Sequence, residues 1–246
     1  MKHIIKSKPF PEFEAWKEQY QLTEEDLKSS PIIENWKNLS GKEKYEFWGK
    51  LSGKIKKDVR DSLVQEQGFI CCYCQQKIDL NENTIIEHFI ARDTQPEKMF
   101  DYNNILACCD GGDKERTTEK KQGIKKTQRT PLYCDREKSN DSISISPLDE
   151  NCESHFSYEF NADSLFVSII GISTEGQDTI QKLNLDVDIL KSERGKAVAG
   201  ILFDENGDYI SPEEAQNLIV AIKQRKANNQ FEPFCVVLEH ILKIFS

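Results

Sequence analysis

Four cysteines of this chain are spaced as the ligands of a structural zinc ion would be. Cys71 and Cys74 form a C-x-x-C pair, and a tight turn between them lets two thiolates meet one Zn²⁺ at about 2.3 Å each. Cys109 and Cys134 can fill the two remaining tetrahedral positions. The alternative is that buried free cysteines act as small hydrophobic residues. That is the role we expect for Cys72, Cys108, Cys152 and Cys235.

An acid and a histidine stand side by side between the two halves of this cysteine frame. Glu87 and His88 lie in an apolar run from Ile85 to Ile90. Neighbouring residues of a strand face opposite sides, so both side chains reach one site only at a bend or a strand end. A lone Glu-His pair is more often a surface pair or a buried structural histidine, but its position inside the frame favours a chemical role.

Helices are predicted for the segment that precedes the cysteines. Residues 10–67 carry aromatic and aliphatic side chains at intervals of three or four. The breakers Ser29-Ser30-Pro31 and Ser40-Gly41 divide this pattern into separate helices. We therefore expect a helical N-terminal lobe over residues 1–67.

Short strands are expected around the cysteines, in a core over residues 68–150. The pattern predicts a two-stranded unit with a knuckle over 68–80, a strand over 84–90, and a helix over 101–109 that begins at Asp101. Residues 110–133 are polar and rich in Lys, Gln and Thr, so we predict a mobile basic loop there.

A mixed, mainly helical region is predicted over residues 151–246. Phe156, Tyr158 and Phe160 alternate as in a strand, and residues 165–172 predict a second strand. Helices are predicted over 180–202, from the capping box at Ser211 to about residue 225, and over 231–245. The fold class expected for the whole chain is α+β.

The charge distribution limits how the chain could meet a polyanion. The formal net charge is -9, which argues against a protein that coats nucleic acid through bulk electrostatics. Residues 114–138 nevertheless hold nine basic and four acidic residues, a local net charge of +5. This basic segment, with Lys125 and Lys126 at its centre, is a candidate nucleic-acid contact, although charge runs are usually solvated loops.

Composition is typical of a soluble globular protein. Hydrophobic residues make up 37% and charged residues 30%, and no apolar run approaches the length of about eighteen residues that a membrane span needs. The N-terminal residues do not resemble a signal peptide, so we expect a cytoplasmic protein with no membrane association. In that compartment a cysteine cluster favours a metal site over disulfides.

Several motifs occur in an order that resembles HNH endonucleases. The motifs are Cys71-Cys-Tyr-Cys74, Ile86-Glu-His-Phe89, Tyr102-Asn-Asn-Ile-Leu-Ala-Cys-Cys109, Tyr133-Cys-Asp-Arg-Glu-Lys138, Ile145-Ser-Pro-Leu-Asp149, and Leu183-Asn-Leu185 with Arg194. They are most similar to the HNH nuclease subunit of retron-associated and Septu-type antiphage systems, and the resemblance covers roughly residues 65–195. It implies a zinc-stapled ββα-metal core flanked by N-terminal and C-terminal helices.

The resemblance also implies a role for each matching residue. His88 would be the general base that takes a proton from the attacking water, and Asn104 would orient the loop that carries it. Glu87 and Asp135 would bind a catalytic Mg²⁺ or Mn²⁺. Cys108 is an alternative to its neighbour in the zinc frame, which would otherwise consist of Cys71, Cys74, Cys109 and Cys134.

Phosphate contacts are implied at Arg92 and Lys138. The chain departs from the family pattern near these positions. It has Ala91-Arg92 where family members often have proline and lysine. It has Asp135 where asparagine or histidine is common, which could tighten metal binding or change the preferred metal.

The function implied by the resemblance is an endonuclease that cuts DNA as the effector of a defence complex containing an ABC/SMC-like ATPase. Two alternatives stay open. One is cleavage of RNA such as tRNA, because the metal and the histidine act on the phosphodiester and do not read the sugar. The other is a non-catalytic zinc module that binds a protein partner, which would have no need of the Glu87-His88 pair.

Overall fold

Helices and two small sheets build the fold, and the computed structural model describes residues 1–246. This confirms the predicted α+β class. The N-terminal helices are α1 (Pro11–Gln19), α2 (Glu24–Lys28), α3 (Pro31–Glu34), α4 (Gly41–Trp48) and α5 (Gly53–Glu66).

The predicted breakers do separate these helices. Thr23 and Ser40 each form a capping box with the acidic side chain three residues later, so α2 and α4 begin where the sequence offers such a cap. Pro31 stands at the first position of α3, where its missing N–H costs nothing.

The strand pair at the centre of the chain differs from the prediction. β1 (Ile85–His88) pairs antiparallel with β2 (Ile105–Cys108), and Glu87 lies across from Leu106. The predicted helix over 101–109 is therefore wrong: Tyr102–Asn104 form a single 3₁₀ turn capped by Asp101, and a buried strand follows. A run of four apolar residues is compatible with a helix or with a strand. Here the run is a strand because it pairs with β1.

The basic segment after β2 contains a helix. Residues 110–133, predicted as a loop, include α6 (Asp113–Lys121) and a 3₁₀ turn at Lys126–Gln128. Asp113 and Glu115 stand in the first turn of α6, and Lys120 and Lys121 stand in its last turn, where they interact favourably with the helix dipole. The four-residue helix α7 (Asp135–Lys138) then returns the chain to β1, because Lys138 Nζ donates to the His88 carbonyl.

The C-terminal region contains the second sheet, as predicted. β3 (Phe156–Asn161) pairs antiparallel with β4 (Phe166–Gly171). The predicted helix over 180–202 is two helices, α8 (Thr174–Leu183) and α9 (Asp188–Leu202), because Asn184 takes a left-handed conformation that ends α8. A Cβ at Gly195 would lie 1.6 Å from the Leu165 carbonyl oxygen, so only glycine lets α9 approach the β3–β4 turn.

Two more helices, α10 (Pro212–Ile222) and α11 (Cys235–Phe245), complete the fold. The capping box predicted at Ser211 is present. One contiguous hydrophobic cluster extends from Met1 to Leu242, so the three predicted regions share a core. None of the helices has the length and apolar character that crossing a membrane requires.

Candidate functional site

The cysteine frame is a compact cluster of buried thiols. The ligand atoms of Cys71, Cys108, Cys109 and Cys134 all lie within 4.8 Å of one another. Cys71 Sγ is 3.6 Å from Cys108 Sγ and 4.0 Å from Cys134 Sγ. Four thiolates at about 2.3 Å from one tetrahedral ion would be separated by about 3.8 Å, so these four buried cysteines could hold a metal ion such as zinc.

The membership of this cluster differs from the predicted set at one position. Cys108, which we expected to be a small hydrophobic residue, belongs to it. Cys74, predicted as a ligand, contacts Cys109 at 3.8 Å but lies outside the group of four mutually close thiols. Cys109 follows the last residue of β2, so its side chain can turn toward the same side as that of Cys108.

Backbone hydrogen bonds hold the two halves of the frame together. The turn that contains Cys71 to Cys74 is closed by the bridge between Ile70 and Lys77. Cys72 N donates to the carbonyl of Ala107 in β2, which fixes the turn against the strand. Cys134 N donates to the Leu183 carbonyl at the end of α8, so the last thiol is held from the C-terminal region.

Burial makes these thiols poor acids by themselves. It raises the pKa of Cys74, Cys108 and Cys134 well above the usual range. At Cys71 burial acts in the same direction but is outweighed by hydrogen bonds from Cys108 and its neighbours, which lower its pKa. A bound cation would supply the positive charge that stabilises the thiolate form of the cysteines whose pKa is raised.

Glu87 is held on one carboxylate oxygen by two buried groups. The Tyr73 hydroxyl donates to Glu87 Oε1 at 2.8 Å, and Lys138 Nζ lies 2.8 Å from the same oxygen. Burial, followed by the charge of Glu87, raises the pKa of Tyr73, so the phenol stays a donor. Neither contact uses Oε2, the oxygen left for a ligand in the cleft.

A second carboxylate stands next to Glu87. Asp135, the first residue of α7, lines the same cleft, and its charge acts on Glu87. Burial, together with this neighbouring acid, raises the pKa of Glu87 well above its ordinary value, against the opposing effect of Lys138. Two adjacent carboxylates of this kind favour a cation between them.

His88 ends β1 and is fixed from two sides. Its Nε2 lies 3.0 Å from the Met99 carbonyl oxygen, and the Trp48 ring meets the imidazole edge-on with centroids 4.7 Å apart. A carbonyl can only accept, so Nε2 carries the proton and Nδ1 is the unprotonated nitrogen. Burial and the charge of Arg92 lower the pKa of His88 to about 3, so the ring is neutral at physiological pH.

Asn104 ties the two ends of the loop that follows His88. Its Oδ1 accepts from Ile90 N at 2.8 Å, and its Nδ2 donates to the carbonyls of Ile90 and Lys98. The side chain is buried, so these bonds replace water in full. Arg92, in the same loop, places its guanidinium 5.1 Å from the centre of the Trp48 ring.

One cleft of about 730 Å³ brings these groups together. Glu87, His88, Arg92 and Asp135 all line it. Lys125 and Lys126 do not line it, and most of the basic segment lies elsewhere on the surface. The cleft walls also contain three basic residues of α5 that the sequence analysis did not select, although their spacing on one helix face was visible: Lys56, Lys57 and Arg60.

Lys138 does not occupy the position of a phosphate contact. Its side chain is 1% exposed and its ammonium is engaged by Glu87 and by the His88 carbonyl. A buried amine with two partners cannot reach a nucleic-acid backbone at the surface without giving them up. Here Lys138 neutralises Glu87 and joins α7 to β1, in contrast to the predicted role.

Comparison with known proteins adds one relative. No family model matches the chain. Over 157 residues the chain is 28% identical to a protein of Vibrio cholerae serotype O1 biovar El Tor named "Retron Vc95 putative HNH endonuclease". The match covers 61% of this chain and 67% of that protein. This relative confirms the resemblance to HNH endonucleases of retron systems that the sequence motifs carry.

Proposed function

We propose that this protein is a metal-dependent HNH endonuclease that hydrolyses phosphodiester bonds of DNA. In this proposal β1, β2 and α7 form the ββα-metal unit, and the thiol cluster beside it holds a structural zinc ion. The observation that supports the proposal is that Glu87, His88 and Asp135 line the same cleft. A non-catalytic protein in which zinc only stabilises the fold would not need a neutral imidazole beside two adjacent carboxylates.

His88 has the arrangement that a general base requires. The Met99 carbonyl fixes the protonated Nε2, so Nδ1 is free to accept a proton from a water molecule that attacks phosphorus. The low pKa keeps the ring unprotonated before substrate binds. A phosphodiester beside the ring adds negative charge, which raises the pKa toward the range in which proton transfer is efficient.

Glu87 Oε2 and the Asp135 carboxylate would hold the catalytic ion, Mg²⁺ or Mn²⁺. When bound, such an ion polarises the scissile phosphate and neutralises the leaving oxygen. Tyr73 and Lys138 keep Glu87 oriented by holding its other oxygen. Asn104 keeps the ends of the His88 loop together, as a positioning residue.

The structural zinc would be held by Cys71, Cys109 and Cys134, which both the sequence and the structure include in the frame, with Cys108 as the fourth ligand. Cys74 is the alternative fourth ligand through its contact with Cys109. A site of this type is coupled to folding because the thiolates come from distant parts of the chain.

In the cell we propose a nuclease effector of an antiviral system of the retron-associated or Septu type, encoded with an ABC/SMC-like ATPase. Support comes from the relative, which is named as a retron protein, and from the family motifs. The net charge of -9 also favours a partner, because the chain repels a polyanion at long range and needs help to bring its cleft to one.

RNA is the second candidate substrate. The groups in the cleft act on the phosphodiester, and a protein distinguishes RNA mainly through contacts to the 2′-hydroxyl. The experiment that tests the proposal is incubation of the purified chain, alone and with the ATPase, with DNA and with RNA in the presence of Mg²⁺. We expect DNA cleavage that the His88→Ala variant lacks. Equal cleavage by that variant, or no cleavage of either substrate by the wild type with its ATPase, would contradict the proposed activity.

A further inference from the structure

The arginines of the chain fall into two groups. Four of the seven donate hydrogen bonds to backbone carbonyls and so have a structural role: Arg116, Arg129, Arg194 and Arg225. The other three, Arg60, Arg92 and Arg136, donate no hydrogen bond within the chain, and all three line the cleft. Guanidinium groups bind oxyanions such as phosphate with pairs of N–H donors. Arg60 and Arg92 have such donors available, and Arg136 shares its guanidinium with Asp113 in an ion pair of 3.5 Å.

Arg60 is the least expected member of this group. It lies in α5, and its side chain is only 13% exposed. Its Nε is buried without a hydrogen-bond partner, and the nearest carboxylate oxygen, on Asp61, is 4.0 Å away. A buried charged donor without a partner is unfavourable, so an anion that reached it would gain a strong interaction.

Two lysines add positive charge along the same helix face. Lys56, Lys57 and Arg60 together are called the positive wall of the cleft. Lys56 and Lys57 lie one turn before Arg60 and line the same cleft. Lys56 makes no ion pair, whereas Lys57 pairs with Asp61 at the helix surface. The cleft thus holds five basic side chains on a chain whose net charge is -9, and only three acidic ones, two of which are the proposed metal ligands.

We propose that Lys56, Lys57 and Arg60 of α5 form a binding site for backbone phosphates of the nucleic acid, on the flanks of the scissile phosphodiester. This inference rests on the proposed nuclease function and extends it to the N-terminal helices. Arg92 and Arg136 would hold the strand from the β1 loop and from α7. Since these groups contact phosphates and not base edges, the site selects for a polyanionic chain and not for a sequence.

The experiment compares four single variants of the full chain, Lys56→Ala, Arg60→Gln, Arg60→Lys and Lys54→Ala, in the His88→Ala background, which prevents cleavage during binding. Lys56→Ala and Arg60→Gln each remove one positive charge from the wall. Lys54→Ala is the matched control, because it removes the same charge from the same helix but lies outside the cleft. Binding of a labelled DNA duplex is measured by fluorescence anisotropy over a series of salt concentrations, starting at low salt.

We expect each wall variant to weaken binding about tenfold at low salt and to reduce the slope of log affinity against log salt by about one. Lys54→Ala should retain the wild-type affinity and slope. Arg60→Lys, which keeps the charge, should recover part of the affinity that Arg60→Gln loses. Lys56 is exposed, so its substitution does not endanger folding.

A second measurement separates this inference from the proposed activity. In chains with His88 intact, the wall variants should lose more activity on DNA than on bis(p-nitrophenyl) phosphate, which has no neighbouring phosphates. If Lys56→Ala and Arg60→Gln bind DNA like Lys54→Ala, or if the wild type does not bind DNA even at low salt, the inference is overturned. If the wall binds DNA as expected but the wild type with its ATPase cleaves neither compound, the proposed activity fails while the binding site stands.

Discussion

The Tyr73 hydroxyl donates a 2.8 Å hydrogen bond to Oε1 of Glu87. Tyr73 stands between Cys72 and Cys74 in the turn of the thiol cluster, so the geometry of that turn sets the orientation of the acid in the cleft. The proposed zinc frame and the proposed metal ligand are thus one connected unit.

Tyr73→Phe removes the hydroxyl and leaves the ring. We expect about a tenfold weaker apparent affinity for Mn²⁺ and lower cleavage activity, with zinc content unchanged, because Glu87 loses one of its orienting bonds. Titration of cleavage against Mn²⁺ measures the effect. Tyr133→Phe is the matched control, since Tyr133 precedes Cys134 but its hydroxyl donates no hydrogen bond in the chain. Identical Mn²⁺ curves for both variants would show that Tyr73 does not position Glu87.

Lys138→Met tests whether Lys138 is a structural partner or a phosphate contact. Removing one member of a buried ion pair leaves the other charge uncompensated, so we expect a loss of stability of about 3 kcal/mol or more. Denaturant unfolding without added Mg²⁺ measures it. The exposed Lys125→Met should unfold like the wild type. A stable Lys138→Met protein with weakened DNA binding would instead favour the phosphate contact.

His88→Ala should reduce cleavage by about 10²–10⁴-fold, the usual effect of losing a general base, while zinc content and folding persist. Glu87→Ala should also lose activity but recover part of it at higher metal concentration. Single-turnover cleavage across a Mg²⁺ series distinguishes the two. Full rescue of His88→Ala by metal alone would assign His88 to the metal instead of to proton transfer.

Zinc content should depend on Cys108 more than on Cys74. The Cys108 thiol lies within 4.8 Å of the three other ligands, whereas Cys74 contacts Cys109 from outside that group. We expect Cys108→Ser to release zinc and Cys74→Ser to retain most of it, as measured by elemental analysis after chelator washing. Cys235→Ser is the control. The opposite order would restore the set predicted from the C-x-x-C spacing.

Acid should destabilise the wild type through His88. Its folded pKa of about 3 lies below the unfolded value of about 6.5, so the folded state favours the neutral ring. This contribution is complete above the unfolded pKa and is lost as pH falls from about 6.5 toward 3. Between about pH 7.5 and pH 5 the stability difference between wild type and His88→Ala should therefore shrink by about 2 kcal/mol. A constant difference in denaturant unfolding would contradict the low pKa.

The sequence predicted the elements that depend on local signals. The capping box at Ser211 begins a helix as expected, the breaker at Ser40 separates two helices, and the alternation at Phe156 and Tyr158 forms a strand. The helix predicted over 101–109 failed because the apolar run there pairs with β1, and only the tertiary partner distinguishes strand from helix in so short a run.

The site residues that belong to sequence motifs could be predicted, whereas those that come from elements distant in the chain could not. Glu87, His88 and Asp135 come from motifs, and the structure brings them into one cleft, although their chemical roles stay predictions. Arg60 comes from a charged helix that precedes them in the chain, and such a helix face usually meets only solvent. The burial of Lys138 is likewise a tertiary effect that its place in a basic segment does not reveal.

The four thiols of the cluster and the adjacent Cys74 make five, one more than a tetrahedral ion can use, and this affects how the chain reaches its native state. Cys71, Cys72 and Cys74 are neighbours in sequence and can capture zinc in the unfolded chain before β2 and α7 arrive with Cys108 and Cys134. Ligand exchange must then precede completion of the frame. Zinc present from the start of refolding should therefore slow recovery of the native state, and zinc added after chain collapse should speed it.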